Sequence, residues 1–319
     1  MRLNATRHIA VGNLNVDFYI YVNEYPKHPS IAYANSVLID VGGAATNYAY
    51  ACSKAGCKAK ILAHTGILAV KLGVIDKLKR LGIDTSMIIV HDDEPPGMVF
   101  ILVDSQGRNT MIKISGANRL LRGDEVCDGE EVDVIHFASV SPRVIKRMLL
   151  RNCKRSRIIS YDPGTYLSPT LLEEIKDVAS YTTILSLSLR EARRIVDCNN
   201  PLEALKYLAK LGCEITVLRL GAKGALCSIG GKVLYVKPYS HGEVIDTTGA
   251  GDTFNAYLNT FLAEGYELED SLAAASIAAG IKVTRRGAQS APDRSLVEKI
   301  LREKGNTLVE TVRGSLSLP

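Results

Sequence analysis

Residues 246–257 read DTTGAGDTFNAY, with Asp252 set behind two glycines and an apolar rhythm after it. One chemistry for such a carboxylate is local: in the first turn of a helix it offsets the positive end of the helix dipole. The other is proton transfer beside a bound anion. Phe254, Tyr257, Leu258, Phe261 and Leu262 fall at i, i+3, i+4, i+7 and i+8, the stripe of a helix packed on one face. The spacing predicts a helix from Gly251 or Asp252 whose free N–H groups point back over Gly249, Ala250 and Gly251. Gly249 and Gly251 lack side chains, so a phosphate can approach those amides closely. An anion hole and a carboxylate then share one small volume. That suits phosphoryl transfer: the amides hold the transferring group while the carboxylate accepts a proton from the attacking hydroxyl.

Other residues offer complementary chemistry. Gly42 and Gly43 make a tight turn before a helical run at 44–55. Asp17 closes the first strand region, where a lone aspartate reads as a turn residue. Lys223 and Arg219 could neutralise phosphates, or stand as solvated loop cations. His136 lies in an apolar strand and reads as a core histidine. The seven cysteines include no C-x-x-C pair, so free buried thiols are expected, with a Cys52–Cys57 disulfide as the alternative. The pattern G-x-x-x-x-G-K-[ST] is absent, so no P-loop is expected.

Positioning these residues requires a regular scaffold. HIAVGNL, KAKILAHTG, VDVIHFA, RIISYDPG, TTILSLS and CEITVLRLG read as strands. Helices are predicted at 44–55, 70–81, 142–152, 168–178, 189–196 and 201–211. Gly56, Gly82 and Gly212 follow three of them as left-handed stops. This alternation predicts a mostly parallel sheet with helices on both faces. Residues 17–40 and a hairpin at 97–114 interrupt it, and could pair into a small separate sheet serving as a lid.

Bulk properties narrow the function classes. With 319 residues and a net charge of +5, the chain can bury a deep core and suits an anionic small substrate. No basic stripe interleaved with aromatics argues for nucleic acid. No apolar run approaches the roughly 18 residues of a membrane span, and no signal-peptide pattern is evident, so a cytoplasmic protein is expected. The acidic run 124–133 reads as an exposed loop, and 143–157 as a basic helix face with Val144, Ile145, Met148 and Leu149 turned inward. The tail from Gly305 reads as peripheral.

The whole string DTTGAGDTFNAY closely resembles the C-terminal signature of the ribokinase-like (PfkB) family of sugar and nucleoside kinases, and the resemblance extends along nearly all the chain. VGNLNVD resembles the first strand and turn of that family, and implies that Asn15 and Asp17 hold acceptor hydroxyls. VGGAATNYAYACSKAG resembles its diglycine motif, assigning Gly42, Gly43 and Asn47 to the acceptor. LSLSLREA sits where the family often has Asn-x-x-Glu: Ser188 replaces the Asn, and Glu191 is left to contact Mg²⁺ through water. VLRLGAKGA aligns with the nucleotide-side loop, implying Arg219, Gly221, Lys223 and Gly224 there, with Ser276 on the same side. Asp246, Thr248 and the backbone carbonyls of Lys282, Arg285 and Gly287 resemble a monovalent-cation site in potassium-activated relatives, with Ala291 where serine is frequent.

The resemblance implies one domain over 1–319, a three-layer α/β/α sandwich with a small β-sheet lid inserted at about 17–40 and 95–115. It implies an ATP-dependent kinase using Mg²⁺, with K⁺ as a further cofactor, and Asp252 as base over Gly249, Ala250 and Gly251. The acceptor is a primary hydroxyl of a sugar, or of a nucleoside's ribose. Gly42-Gly43-Ala44 replaces the Gly-Gly-Lys of ribokinases, and SYDPG is similar to archaeal nucleoside kinases, whereas SGAN and VTRRGAQ are similar to ribokinases. Phe18, Tyr19, Tyr33 and Phe100 are candidates to cover a base. A rival from another class is a catalytically silent nucleotide and sugar sensor. Open edges on the lid make a homodimer through it the expected assembly.

Overall fold

The computed structural model describes residues 5–29, 31–125, 131–151, 156–164, 166 and 170–312. In chain order the elements are β1 (Arg7–Gly12), β2 (Asn15–Val22), β3 (Ala34–Gly42), α1 (Ala44–Ala55), β4 (Lys58–Gly66), α2 (Ile67–Lys71), α3 (Val74–Arg80) and β5 (Asp84–His91). There follow β6 (Gly97–Val103), β7 (Asn109–Ile114), β8 (Val132–Ala138), α4 (Pro142–Leu150), β9 (Ser156–Asp162), α5 (Leu171–Ala179), β10 (Ile184–Ser188), α6 (Leu189–Ile195), α7 (Pro201–Ala209) and β11 (Ile215–Arg219). The last part holds β12 (Ala225–Ile229), β13 (Lys232–Val236), α8 (Ala250–Ala263), α9 (Leu268–Lys282), α10 (Arg294–Leu308) and β14 (Val309–Thr311).

Ten strands form one sheet in the order β14-β13-β12-β11-β10-β9-β8-β1-β4-β5. From β5 to β11 every pairing is parallel; β12, β13 and β14 add an antiparallel edge. The central strands are buried on both faces, as a sheet between helix layers requires, with His8, His136, Ser160, Ser186 and Thr216 as buried polar residues among the apolar ones. In β1, Ile9 and Val11 join the cluster under α4, α5 and α7, while Ala10 joins the one under α1. In β8, Ile135 and Phe137 face the first side, and Val134 faces the cluster containing α8, α9 and α10. The result is the three-layer sandwich expected from the alternation.

The two interrupting segments do pair. They make a four-stranded sheet, β3-β2-β6-β7, in which β2 and β6 run parallel and the outer pairs are antiparallel. Strand alternation puts Asn15, Asp17 and Tyr19 on one face, and Phe18, Ile20 and Phe100 on the other.

Several local expectations are corrected. The helix expected over 70–81 is two, because Gly73 takes φ 74° between α2 and α3. The helix expected over 168–178 is α5, beginning at Leu171. The tail is not wholly peripheral, since Val309–Thr311 pairs with β13. Glu125, expected in an exposed acidic loop, is buried against His64 at 3.0 Å, while 126–130 lies outside the described residues. Cys52 and Cys57 are free thiols: Cys57 Sγ donates to the Cys52 carbonyl at 2.9 Å and Cys52 Sγ meets His8 Nδ1 at 3.3 Å. His136 is a core residue, its Nδ1 3.0 Å from Ser160 Oγ and its ring stacked on Tyr48. Among the described residues no helix is long and apolar enough to cross a membrane.

Helix α8 depends on one aromatic. Phe261 is fully buried, packs 4.7 Å from Tyr266 and lies under the Arg294 guanidinium at 5.1 Å. Phe261→Ala should cost about 3–5 kcal/mol, read as a lower urea midpoint with an unchanged m value.

Candidate active site

The turn before α8 leaves backbone donors free. Gly249 precedes the helix at φ 77°, and a Cβ there would lie 2.6 Å from the Ala288 carbonyl oxygen. The Thr253 amide is the first to bond back along the helix, to Gly249 O at 2.9 Å, and the Ala250 amide reaches Thr247 O at 3.2 Å. The amides of Gly251 and Asp252 are thus the free donors of the first turn. Gly251 has a second reason to be glycine: a Cβ would stand 2.4 Å from Arg219 Nη1. A guanidinium therefore backs the anion turn directly.

Asp252 is the third residue of α8 and its carboxylate is aimed. Oδ2 accepts a 3.0 Å hydrogen bond from Asn47 Nδ2 on α1, 205 residues away in sequence. Burial, then the charge of Asp162, pushes the Asp252 carboxyl up to about 7, with the Asn47 hydrogen bond acting in the opposite direction. That is the range in which a general base works at neutral pH.

Around Arg219 the structure assembles a cluster that local sequence does not announce. Arg219, the last residue of β11, is not a solvated loop cation: its Nη2 lies 2.8 Å from Asp162 Oδ2 and 3.6 Å from Glu191 Oε2. Asp162 ends β9 and is held by Asn255 Nδ2 at 2.8 Å and the Gly164 amide at 3.0 Å. Ser188 caps α6 and is spent locally. Its hydroxyl accepts from the Glu191 amide at 3.2 Å, and its own amide donates to Glu191 Oε2 at 2.7 Å, a reciprocal capping box. Glu191 is raised by burial and by Asp162. Three carboxylates thus surround one guanidinium, an excess of negative charge with oxygen donors that fits a hard divalent cation.

On the acceptor side, Asp17 and Asn47 each present a buried oxygen, Oδ1 in both, without a hydrogen-bond partner among the described residues. Asp17 is raised to about 7 by burial and the neighbouring Asp40. Gly42 is required by this carboxylate, since a Cβ there would lie 2.0 Å from Asp17 Oδ2. Gly43 is the N-cap of α1. Asn15 Oδ1 is fixed by Asn118 Nδ2 at 2.8 Å, and Asn118 Oδ1 takes the Leu14 amide at 3.0 Å. Asn118 and Asp162 were missed by the sequence reading, although SGAN and SYDPG were both visible. Tyr19 shares the Asp17 face. Phe18 and Phe100 stack on each other at 5.0 Å on the opposite face, so they cannot cover a ligand held by Asp17, and Tyr33 is exposed.

The remaining expected residues divide. Gly221 and Lys223 form an exposed turn closed by Gly224 after β11. Ser276 is not directed at a ligand: its hydroxyl donates to Lys237 O at 2.7 Å and accepts from the Tyr239 amide at 3.1 Å. Asp246 lies at the expected cation position, but its Oδ1 accepts the Thr248 amide and its Oδ2 the Gly287 amide, each at 2.9 Å. Lys282 enters through its side chain, which donates to the Asp246 carbonyl at 2.7 Å. Its own carbonyl takes the Arg285 amide at 3.0 Å, and the Gly287 carbonyl takes Ser290 Oγ at 2.8 Å. The Arg285 side chain reaches the Ser290 and Ala291 carbonyls at 3.4 Å.

The pfkB family carbohydrate kinase model matches residues 5–294. Among curated proteins, a ribokinase of Haemophilus influenzae is 28% identical over 88% of this chain and 93% of its own. A nucleoside kinase of Methanocaldococcus jannaschii is 24% identical over 88% and 91%. Among solved structures, the M. jannaschii nucleoside kinase superposes with a TM-score of 0.80 at 22% identity, over 94% of this chain and all (100%) of its own. Arabidopsis thaliana ribokinase complexed with ribose and ATP gives 0.79 at 24%, covering 94% and 99%. The chain belongs to the pfkB family of carbohydrate kinases, and is a phosphotransferase with a hydroxyl acceptor.

Asp252→Asn keeps the shape and the Asn47 contact but removes the base. Turnover should fall by about 10²–10⁴, with nucleotide affinity within about threefold; near-normal turnover would discard the assignment. In the parent protein kcat/KM should fall as pH drops below about 7. A carboxyl raised in the folded state stabilises most below its unfolded value and less as pH rises through its folded one. The Asn variant should therefore lose less thermal stability than the parent between acid and neutral pH, read by melting curves.

Proposed function

We propose that this protein is an ATP-dependent kinase that transfers the γ-phosphoryl of ATP to a primary hydroxyl of a sugar. The observation that carries the reading is the Asp252 carboxylate, 3.0 Å from Asn47, at the mouth of the glycine turn. Proton acceptor, anion-binding amides and unpaired acceptor oxygens then serve a single reaction.

In this reading Asp17 and Asn47 take hydroxyl protons of the acceptor, and Asn15 is oriented beside them by Asn118. Asp252 removes the proton from the attacking oxygen as its bond to the γ-phosphorus forms and the bond from that phosphorus to the β,γ-bridging oxygen breaks, with ADP as leaving group. The Gly251 and Asp252 amides, with Ala250 and Gly249 shaping the turn, receive charge on the transferring group, and Arg219 lies behind them. Lys223, Gly221 and Gly224 line the donor side. Glu191 and Asp162 would hold magnesium, which would supply positive charge against the phosphates and the carboxylate excess. The intact GAGD turn and the set of acceptor residues argue against a catalytically silent sensor.

A nucleoside is the second reading of the acceptor. Tyr19, Leu38 and Ile101 share the Asp17 face of the small sheet by register and offer a base an apolar cover. The curated relatives include both ribokinases and a nucleoside kinase. A coupled assay for ADP release over pentoses, hexoses and nucleosides should give phosphorylated product from one class. No product from any member would favour the sensor.

The working unit in this reading is a cytoplasmic homodimer joined through the lid. On the face away from Asp17, Ile20, Val37, Ile39, Phe100 and Ile112 make an apolar surface, with Val37, Ile39 and Ile112 exposed. Among the described residues the outer edges of β3 and β7 have no strand partner. Ile39→Lys combined with Ile112→Lys should convert a dimer into a monomer in light scattering, while the ten-stranded domain keeps its melting transition.

A further inference from the structure

Lys282 is fully buried at the end of α9, which is unusual for an ammonium without a carboxylate in contact. Among the described residues its hydrogen-bond acceptor is a backbone carbonyl, Asp246 O, at 2.7 Å. Burial lowers its proton affinity, while the charges of Asp246 and Asp252 raise it. Lys282 thus lies within electrostatic reach of both ends of the phosphate turn.

The ammonium lies against Asp246, at the monovalent-cation site expected from the sequence, and so puts a positive charge of the chain's own there. Both carboxylate oxygens of Asp246 already accept backbone amides. The carbonyls of Lys282 and Gly287 have donors of their own. The Asp246 carbonyl has the ammonium. An ammonium and a potassium ion are similar in size and equal in charge, so one group can do electrostatically what the other does.

We propose that Lys282 is a tethered substitute for the monovalent cation, so that phosphoryl transfer here needs no added alkali ion. The inference rests on the kinase reading above. Lys282 acts as a positioning residue. It holds the Asp246 carbonyl, and with it the chain leading into Gly249 and Gly251, and it adds a fixed positive charge behind the anion turn. The Ile245 and Asp246 amides both bond the Val283 carbonyl, at 2.8 and 3.0 Å. Helix α9 and the turn are thereby anchored side by side.

The test begins with the unmodified protein, exchanged into choline salts and assayed against potassium, sodium and ammonium chlorides at matched ionic strength. Expected is a kcat/KM that changes by less than about twofold. A loss beyond about tenfold without potassium would overturn the proposal, with no variant needed. Lys282→Ala empties the site and should lower kcat by at least about tenfold in choline. Potassium or ammonium should restore it, and potassium should raise its melting temperature more than choline does. An alanine variant that folds and matches the parent in every salt would also overturn the proposal. Absence of ADP from every acceptor in every salt would instead remove the kinase reading, while the potassium-specific melting shift of the alanine variant would still report on the cation site.

Discussion

The contact between α1 and α8 is the constraint on which the site depends. Two helices distant in sequence must run side by side with their N-termini level, because Asn47 sits in the first turn of one and Asp252 in the first turn of the other. Close approach is possible because the shared surface is small: Ala45, Ala49, Cys52 and Ala256 are all buried in one cluster. Register is then set by polar groups. The Tyr48 hydroxyl takes the Asn259 amide at 3.0 Å and meets His8 Nδ1 at 3.0 Å. An apolar seam alone would let the helices slide, whereas a buried hydrogen-bonded strip is satisfied at one offset. A slip of one helical turn, about 5.4 Å, would separate Asn47 from Asp252.

Charge is the second organising term. Beyond burial, the charge of Asp162 raises the proton affinity of Asp252 and of Glu191, and Arg219 offsets part of that rise at both. The guanidinium can do so only because Gly251 gives it room against the turn. A larger residue at 251 would push Arg219 away from Asp162 and obstruct the anion hole together. The glycine that local reasoning assigns to phosphate access therefore serves the protein's own cation as well.

What was legible in the sequence was local. The helix over 44–55, its stop at Gly56, and the stripe behind Asp252 all follow from spacing within a few residues, and the fold class follows from their alternation. Gly73 was read as a helix interior residue because its flanks are apolar at helical spacing. Its left-handed backbone is a property that periodicity does not carry. Arg219 reads locally as a loop cation because its partner is remote in sequence: Asp162 is 57 positions upstream and meets it only when β9 and β11 take places two strands apart. Ser188 looked like a failed ligand motif, yet Ser-x-x-Glu before a helix is itself the signature of a capping box. That local signal was available and went unused. Asn118 had no such signal, since its partners are chain segments joining two different sheets.

The junction of the two sheets explains how an acceptor can be recognised from both sides. Asp17 belongs to β2 of the small sheet and Asn47 to α1 of the large domain, but β3 ends at Gly42 and Gly43 caps α1. One glycine pair is therefore both the end of the lid and the start of the helix that orients the base. Asn118 holds Leu14 and Asn15 in the neighbouring connection, from β1 to β2. Asp17 and Asn47 follow these two connections closely in the chain, and both are buried. A ligand offering hydroxyls to both pairs the two buried oxygens that otherwise have no donor. A ligand lacking one leaves a desolvated carboxylate or amide oxygen unpaired, a cost of about 1–3 kcal/mol. Discrimination between acceptors thus comes from groups already buried before the ligand arrives.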